Sequence, residues 1–272
     1  MKNLLNSHIV STRIELTEID KWTILSNLYK VSRRLRWCEE RKDAVAVVGY
    51  GPSLQYTWNR IKNFKTVITT SGAHNFLIEK KIIPSYHVEC DPRAHKTKFT
   101  AKPHPEIKYL IGSSAHPAII NNLLDFDVSL WNFTIRPDVE ILAEEIELPT
   151  YGDVGQQACM IAKVLGYRDL HLFGFDYDFN GDVQHAGIHG NELKEITEYY
   201  IGPHIKIYSN NEFIKNLLFF NILMEENTDL SFTIYGNGAL SKYLDLRYEH
   251  NADEPEHIEV GELERNLRQM RA

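Results

Sequence analysis

The sequence predicts an α/β protein with a Rossmann-like fold, in which a largely parallel sheet carries helices on both faces. Short runs of β-branched and small apolar residues recur along the chain, and amphipathic helical patterns lie between most of them. This alternation is typical of parallel sheets, because each parallel connection needs a crossover, usually a helix. The predicted strands cover residues 44–48, 66–70, 86–90, 107–111, 127–131, 169–173, 205–208 and 231–235.

The chain divides into three predicted parts. Residues 1–43 form a helical extension, residues 44–248 form the Rossmann-like domain, and residues 249–272 form a polar tail. A basic cluster between residues 33 and 41 is expected to be a solvated face or a contact in a homo-oligomer. In the extension, apolar side chains at helical spacing predict a helix; these residues are Ile19, Trp22, Leu25, Leu28 and Tyr29.

Composition limits the classes of function. The net charge of −7 and the pI near 6.0 give no overall electrostatic attraction to nucleic acid, so a polynucleotide partner is not expected. Cys38, Cys90 and Cys159 fit no metal or redox spacing, which predicts reduced thiols in a cytoplasmic protein. The roughly 20 consecutive apolar residues that a membrane span needs do not occur, so no span is expected.

The first predicted strand, 44–48, leads directly into a glycine-rich turn. Gly49 and Gly51 allow the backbone to turn sharply and a ligand to approach closely. Ser53 is expected to cap a helix over residues 54–63, leaving free N–H groups and a positive dipole end that suit a phosphate. The turn differs from the dinucleotide fingerprint, because Leu54 stands where the third glycine would be, and it lacks the P-loop lysine.

Small, polar and ionisable residues follow most of the other predicted strands. Ser71 follows the second strand, Asp91 the third, and Asp176 closely follows the strand at 169–173. Ligands of parallel α/β sheets bind beyond the carboxyl ends of the strands, so these side chains are expected at one ligand-binding edge. An amphipathic helix after Gly152, Asp153 and Gly155 offers a second helix start to the same edge.

A polar loop with two histidines follows the strand at 169–173. His185 and His189 are four residues apart, which would suit a metal on a helix, but Gly187 and Gly190 disfavour a helix there. One histidine acting as an acid or base is the favoured hypothesis, because its usual pKa lies near neutral pH. Which of the two histidines acts remains open.

Several motifs together resemble the 6-hydroxymethylpterin diphosphokinase MptE-like family, which includes the flagellar motility accessory factors. They are similar also to the bacterial CMP-sialic-acid transferases of glycosyltransferase family 42. The resemblance covers about residues 44–240. The motifs are Val48-Gly-Tyr-Gly-Pro-Ser-Leu54, Ile83-Pro-Ser-Tyr-His-Val-Glu-Cys-Asp91, Gly152-Asp-Val-Gly155, Ala162-Lys-Val-Leu-Gly-Tyr167 and Leu172-Phe-Gly-Phe-Asp176.

The resemblance implies roles for individual residues. His185 or His189 would take a proton from an acceptor hydroxyl, with Asp176 near the donor. The sequence departs from the sialyltransferase pattern at Tyr50, where an asparagine is expected, and at Asp153, which alters a serine-glycine helix start. The implied and candidate nucleotide-binding residues are Gly49, Tyr50, Gly51, Pro52, Ser53, Ser71, Asp91, Gly152, Asp153 and Gly155.

Three hypotheses follow for the function. In the first, a glycosyltransferase moves a sugar from a nucleotide sugar to the hydroxyl of a small molecule or glycan and needs no cofactor. In the second, a Mg²⁺-dependent diphosphokinase acts on a hydroxymethylpterin, with Asp91 and Asp176 as metal ligands and Asp178 as a weaker candidate. In the third, the protein binds a nucleotide without turnover.

Overall fold

A computed structural model describes residues 18–133, 146–181, 183–187, 196–201 and 205–251. The chain forms an eight-stranded sheet in which all neighbouring strands run parallel, and a separate two-stranded antiparallel hairpin. The strands are β1 (Val45–Val48), β2 (Val67–Thr70), β3 (Tyr86–Glu89), β4 (Lys108–Gly112), β5 (Val128–Phe133), β6 (Glu147–Leu148), β7 (Asp169–Phe173), β8 (Thr197–Ile201), β9 (Ile205–Ser209) and β10 (Ser231–Tyr235).

Seven α-helices and two 3-10 segments connect the strands in the described part of the chain. The 3-10 segments are Trp58–Asn63, which continues the second helix, and Ala94–Thr100, which follows β3. The helices are α1 (Glu18–Lys30), α2 (Leu54–Thr57), α3 (Ala73–Glu79), α4 (Pro117–Leu123), α5 (Val154–Val164), α6 (Asn211–Glu226) and α7 (Ala239–Asn251).

Both faces of the sheet are covered, as the alternation of elements predicts. Val45 and Val47 of β1 pack in a core cluster with residues of α5, α6 and α7. Ala46 and Val48 belong to a second cluster with residues of α2 and α3. Successive strand side chains point to opposite faces, so these two clusters lie on opposite sides of the sheet. The predicted Rossmann-like fold is therefore confirmed.

The strand order places the first strand at a topological switch point. The sheet order is β10-β7-β1-β2-β3-β4-β5-β6, so β2 lies on one side of β1 and β7 on the other. The chain builds the sheet outward from β1 to β6, and then returns through α5 to add β7 beside β1. From β1 the chain continues to β2 on one side, and from β7 it continues to β10 on the other side. Sheets of this type bind ligands in the crevice between two such connections, at the carboxyl ends of the strands.

One predicted strand belongs to a different sheet from the one expected. Residues 205–208 do form a strand, but β9 pairs antiparallel with β8 in the hairpin and not within the parallel sheet. Ile207 is buried, whereas Lys206 and Tyr208 are exposed. A strand with one solvated face suits an antiparallel hairpin better than a sheet covered on both faces.

The described part of the predicted extension contains the helix α1, but not all of the apolar residues of its pattern are buried. Trp22 is 70% exposed and Tyr29 is 93% exposed, while Ile24, Asn27 and Val31 are buried. Asn27 donates two side-chain hydrogen bonds, of 2.9 and 2.8 Å, to carbonyl oxygens of the segment after β4. This buried polar contact fixes the rotation of α1, which the apolar spacing could not reveal. The three domain boundaries stay predictions.

Two further sequence expectations concern thiols and membrane spans. Cys38, Cys90 and Cys159 are all free thiols. Within the ranges given above, none of the helices combines the length and the apolar character that crossing a bilayer requires.

Candidate functional site

One cavity of about 620 Å³ opens at the carboxyl edge of the parallel sheet. It lies over the switch point between β1 and β7 and extends past β2, β3 and β4. Ser53 is buried behind this lining, and His189 lies outside the described residues. The predicted site residues that line the cavity are Gly49, Tyr50, Gly51, Pro52, Ser71, Asp91, Gly152, Asp153, Gly155, Asp176 and His185.

The turns after β1 and β7 interlock at the base of this cavity. The Gly49 N–H donates to the Phe173 carbonyl at 2.8 Å, and the Gly51 N–H donates to the Gly174 carbonyl at 2.9 Å. A Cβ atom on Gly51 would lie 2.2 Å from Oδ2 of Asp176. Glycine is therefore required here for the close approach of the two turns.

Asp176 holds the glycine turn through a hydrogen bond to its backbone. Its carboxylate is 5% exposed, and its Oδ2 accepts the Ser53 N–H at 3.0 Å. Burial raises the pKa of Asp176, while hydrogen bonds from Ser53 and the charge of Lys242 lower it. The hydrogen bond therefore joins the turn after β1 to the loop after β7.

The expected cap and free N–H groups of the glycine turn are not observed. The Ser53 side chain makes no capping bond, and the residue already has helical backbone angles. The Ser53 N–H is bound to Asp176, and the helix that follows is only four residues long before it tightens into the 3-10 segment. The prediction of a Ser53 cap was therefore wrong, because the turn is already helical at Ser53 and the N–H groups of Leu54 and Gln55 donate to the Gly51 and Pro52 carbonyls, each at 3.1 Å.

The start of α5 is capped by a carboxylate of the chain itself. Oδ1 of Asp153 accepts the Gln156 N–H at 2.9 Å. Burial raises the pKa of Asp153, and hydrogen bonds from Gln156, Tyr177 and Gly155 lower it. The second predicted helix start is thus present at the cavity, but the N–H groups of Gly155 and Gln156 are already bound to Asp153.

Two basic side chains line the wall that follows β3. Arg93 holds Asp91 through three contacts of 2.6–3.0 Å, which keeps the pKa of Asp91 below its usual value despite burial. Nζ of Lys96 lies 3.7 Å from the same carboxylate, and Lys96 is 4% exposed. Glu89 lies beneath them, fully buried, and accepts the N–H groups of Cys90 and Asp91.

The sequence did not single out several residues of this wall. Arg93 follows a strand end that was noted for its polar character, whereas Lys96 lies in the 3-10 segment beyond it. Glu89 is the last residue of β3, and a charged residue within a buried strand is the sequence feature that could have identified it as a site residue. Other lining residues outside the predicted set include Thr70, Ser113, Ser114, Gln157, Glu212 and Phe213.

His185 lies in the loop after β7 and faces the glycine turn. Its ring stacks on the Tyr50 ring, with centroids 5.9 Å apart and planes 13° apart. Burial, followed by the charges of Lys96 and Lys98, lowers the pKa of His185 to about 4, against a smaller opposing effect of a hydrogen bond to the Tyr50 carbonyl. The imidazole is therefore uncharged at neutral pH, as a general base must be.

The two carboxylates predicted as metal ligands both line the cavity, but both are engaged within the protein. Asp91 is paired with Arg93, and Asp176 accepts the Ser53 N–H. Among the residues with described positions, no three histidine, cysteine, aspartate or glutamate side chains come close enough together to hold a metal ion. A Mg²⁺ ion at Asp91 would compete with Arg93, and at Asp176 it would share the carboxylate with the Ser53 N–H.

Comparison with known proteins links the chain to transferases by fold. The MAf glycosyltransferase from Magnetospirillum magneticum AMB-1 is 17% identical, with a TM-score of 0.59 over 82% of this chain. This chain covers 38% of the length of that glycosyltransferase. The sialyltransferase CstII from Campylobacter jejuni, in complex with cytidine-5'-monophosphate, is 17% identical with a TM-score of 0.44, over 75% of this chain and 84% of its own. The comparison with curated proteins gave no match.

A family model for 6-hydroxymethylpterin diphosphokinase MptE-like proteins matches residues 16–182. The match includes β1 and its glycine turn, the wall after β3, and the start of α5. It confirms the resemblance that the sequence motifs indicated. Because the matched segment is more than half of the sequence, the chain belongs to the 6-hydroxymethylpterin diphosphokinase MptE-like family.

Proposed function

We propose that the chain is a glycosyltransferase that moves a sugar from a nucleotide-sugar donor to the hydroxyl of a small-molecule or glycan acceptor. The observation that carries the proposal is the position of His185, an uncharged imidazole in the cavity at the switch point of the sheet. A base beside a nucleotide-sized cavity is the arrangement that such a transfer needs. The fold shared with the MAf glycosyltransferase supports the proposal.

His185 acts as the general base in this proposal. It accepts the proton of the acceptor hydroxyl while that oxygen forms a bond to the anomeric carbon of the sugar. The bond between the anomeric carbon and the phosphate oxygen breaks, and the nucleotide leaves with the electron pair. The lowered pKa keeps the imidazole unprotonated at neutral pH, at the cost of a weaker proton acceptor.

Arg93 and Lys96 together carry one positive charge more than the Asp91 carboxylate that both contact, and in this proposal that excess charge stabilises the departing phosphate. At the helix start after β1 the N–H groups of Leu54 and Gln55 bind backbone carbonyls, and at the start of α5 the Gln156 N–H binds Asp153, so these groups are already paired within the protein. The wall after β3 instead presents a guanidinium and a buried ammonium to the same cavity. Such fixed charges stabilise a leaving group because they need no reorganisation when charge develops. In this proposal the glycine turn allows the nucleotide-sugar donor to approach the backbone closely.

The second candidate is Mg²⁺-dependent transfer of a pyrophosphoryl group to a hydroxymethylpterin. The description of the family favours this reaction. It would place Mg²⁺ between the phosphates and the carboxylates of Asp91 and Asp176. It ranks second because Asp91 is already neutralised by Arg93 and Asp176 is tied to the glycine turn. In this second reaction the metal would stabilise the negative charge of the transferred phosphates.

A thermal-shift panel tests the proposal directly. The nucleotides are CMP, CDP, UDP, GDP, AMP and ATP, each with and without Mg²⁺. A ligand at 100 times its Kd stabilises the native state by about 2.7 kcal/mol, which raises Tm by several degrees in a chain of this size. A shift with a nucleotide mono- or diphosphate that ignores Mg²⁺ supports glycosyl transfer. A shift seen only with ATP or AMP plus Mg²⁺ supports the second candidate, and no shift contradicts both.

The third hypothesis, nucleotide binding without turnover, is separated by one substitution. His185→Ala removes the base but leaves Arg93, Lys96 and the glycine turn in place. Loss of transfer by about 10²-fold or more, with nucleotide affinity retained, supports a catalytic role. A wild-type protein that binds the nucleotide but transfers nothing to any acceptor hydroxyl would be the binding protein of the third hypothesis.

A further inference from the structure

Tyr50 occupies the middle position of the glycine turn, yet its ring packs against the loop that carries His185. The two rings stack with their centroids 5.9 Å apart and their planes 13° apart. Tyr50 is thus shared between the turn after β1 and the loop after β7. A stacked aromatic neighbour restricts the orientations that an imidazole can take.

The Tyr50 ring is itself held on its other sides. The rings of Phe76 and Phe99 meet it edge to face, each with centroids 6.4 Å away. A Cβ atom on Gly72 would lie 2.2 Å from a carbon of the Tyr50 ring, so the turn after β2 closes tightly against it. The ring therefore sits in a fixed slot and can transmit its own position to His185.

The backbone of the histidine loop is fastened to the same residue. The Ala186 N–H donates to the Tyr50 carbonyl at 2.9 Å, and the Gln55 side chain donates to the Ala186 carbonyl at 3.0 Å. The Tyr50 backbone also interacts with the His185 ring, which raises the pKa of that histidine against the larger effect of burial. A Cβ atom on Gly187 would lie 2.3 Å from the Tyr50 hydroxyl oxygen. Three consecutive loop residues thus contact Tyr50.

We infer that Tyr50 is the positioning residue for His185, holding the imidazole in one orientation in the cavity. The stacked ring, the bond from the Ala186 N–H to the Tyr50 carbonyl, and the close approach of Gly187 to the Tyr50 hydroxyl hold the histidine loop on both sides of His185. The ring of Tyr50 then excludes water from one face of the imidazole. The role of His185 as a base rests on the proposed function, whereas the positioning contacts do not.

The test uses paired substitutions and the NMR titration of the His185 ring in the full chain without ligand. Tyr50→Leu removes the stacked ring, and we expect the His185 pKa to rise from about 4 by more than one unit towards the ordinary value of about 6.5. Tyr50→Phe keeps the ring and should leave the titration unchanged. Tyr56→Leu is the matched control, because Tyr56 is 59% exposed in the next helix. Lys96 and Lys98 stay unchanged throughout.

Gly187→Ala gives a second, independent arm. Its Cβ collides with the Tyr50 hydroxyl and should displace His185, which raises the pKa of that histidine as Tyr50→Leu does. In the Tyr50→Phe background the nearest remaining ring atom is Cζ at 3.4 Å, an ordinary contact. The double variant should therefore titrate like Tyr50→Phe. This arm remains decisive if Tyr50→Leu does not fold.

Turnover provides the readout that ties positioning to the reaction. With the donor that the nucleotide panel identifies, Tyr50→Leu should lower kcat by about tenfold or more, and Tyr50→Phe should restore it. An unchanged His185 titration in Tyr50→Leu, or a Gly187→Ala shift that Tyr50→Phe does not rescue, overturns the inference. If the titrations follow expectation but no transfer occurs, the positioning role stands and the proposed function fails.

Discussion

Replacing His185 by glutamine should make the stability of the protein less sensitive to acid. In the folded chain, burial and the charges of Lys96 and Lys98 lower the pKa of His185 to about 4, whereas an unfolded chain has a histidine pKa near 6.5. Between these values the unfolded state binds more protons than the folded state. Stability therefore falls as the pH drops from about 6.5 towards 4, and is fully present above the unfolded value.

The size of the effect follows from the two pKa values. Between pH 7 and pH 5, a histidine shifted from 6.5 to about 4 costs the folded state about 2 kcal/mol in wild type. This figure is an upper bound, because the ring keeps partial contact with solvent. In a chain of this length about 2 kcal/mol corresponds to a Tm difference of roughly 4–8 °C. The glutamine variant has no such proton to bind.

Urea unfolding at pH 7 and pH 5 measures the difference. Wild type should lose about 2 kcal/mol more than His185→Gln between these two pH values. Asp178→Asn is a control of opposite sign, because burial raises the pKa of Asp178 to about 6 and its folded form gains stability as the pH falls. Equal losses in wild type and His185→Gln would refute the burial and charge account of His185.

Three further substitutions test the site. Gly51→Ala places a Cβ 2.2 Å from Oδ2 of Asp176, so we expect a lower Tm and no nucleotide-induced thermal shift; a normal shift would contradict the interlocked turns. Asp176→Ala leaves the buried Ser53 N–H unpaired, which should cost about 1–3 kcal/mol in urea unfolding, against little loss for the exposed control Tyr56→Phe. Arg93→Met should weaken binding of a nucleoside diphosphate by about tenfold, as measured by calorimetry, and should hardly change binding of the free nucleoside. Equal weakening of both ligands would contradict a contact between Arg93 and the phosphate.

The sheet could be predicted from the sequence because its strands are short, apolar and bounded by turn residues. Observed strands such as Val45–Val48 and Asp169–Phe173 match the predicted ranges to within one residue. The hairpin strand Ile205–Ser209 shows that the hydrophobic pattern of a strand does not predict the sheet to which the strand belongs. Its alternating buried and exposed residues indicate one solvated face, but an apolar run does not name its pairing partner.

The site could be predicted where it depends on strand ends, and not where it depends on distant side chains. Parallel strands end at one edge, so residues such as Ser71 and Asp91 were expected to meet there, and both line the cavity. The predicted Ser53 cap was wrong because the backbone is already helical at Ser53, and the bond from the Ser53 N–H to Asp176 was not predicted because Asp176 lies 123 residues further along the chain. Lys96 was not predicted because burial of an ammonium depends on its carboxylate neighbours.

The strand order explains why one cavity gathers both the donor turn and the base. Because the chain returns through α5 to place β7 beside β1, the loop after β7 begins next to the glycine turn after β1. Asp176 ties the two loops through the Ser53 N–H, and Tyr50 ties them through its contact with His185. A change in the glycine turn is therefore expected to alter the base as well as the bound nucleotide. Donor affinity and the His185 titration should accordingly respond together to Gly51→Ala, whereas a substitution in the wall after β3, such as Arg93→Met, should weaken donor binding without releasing the histidine loop.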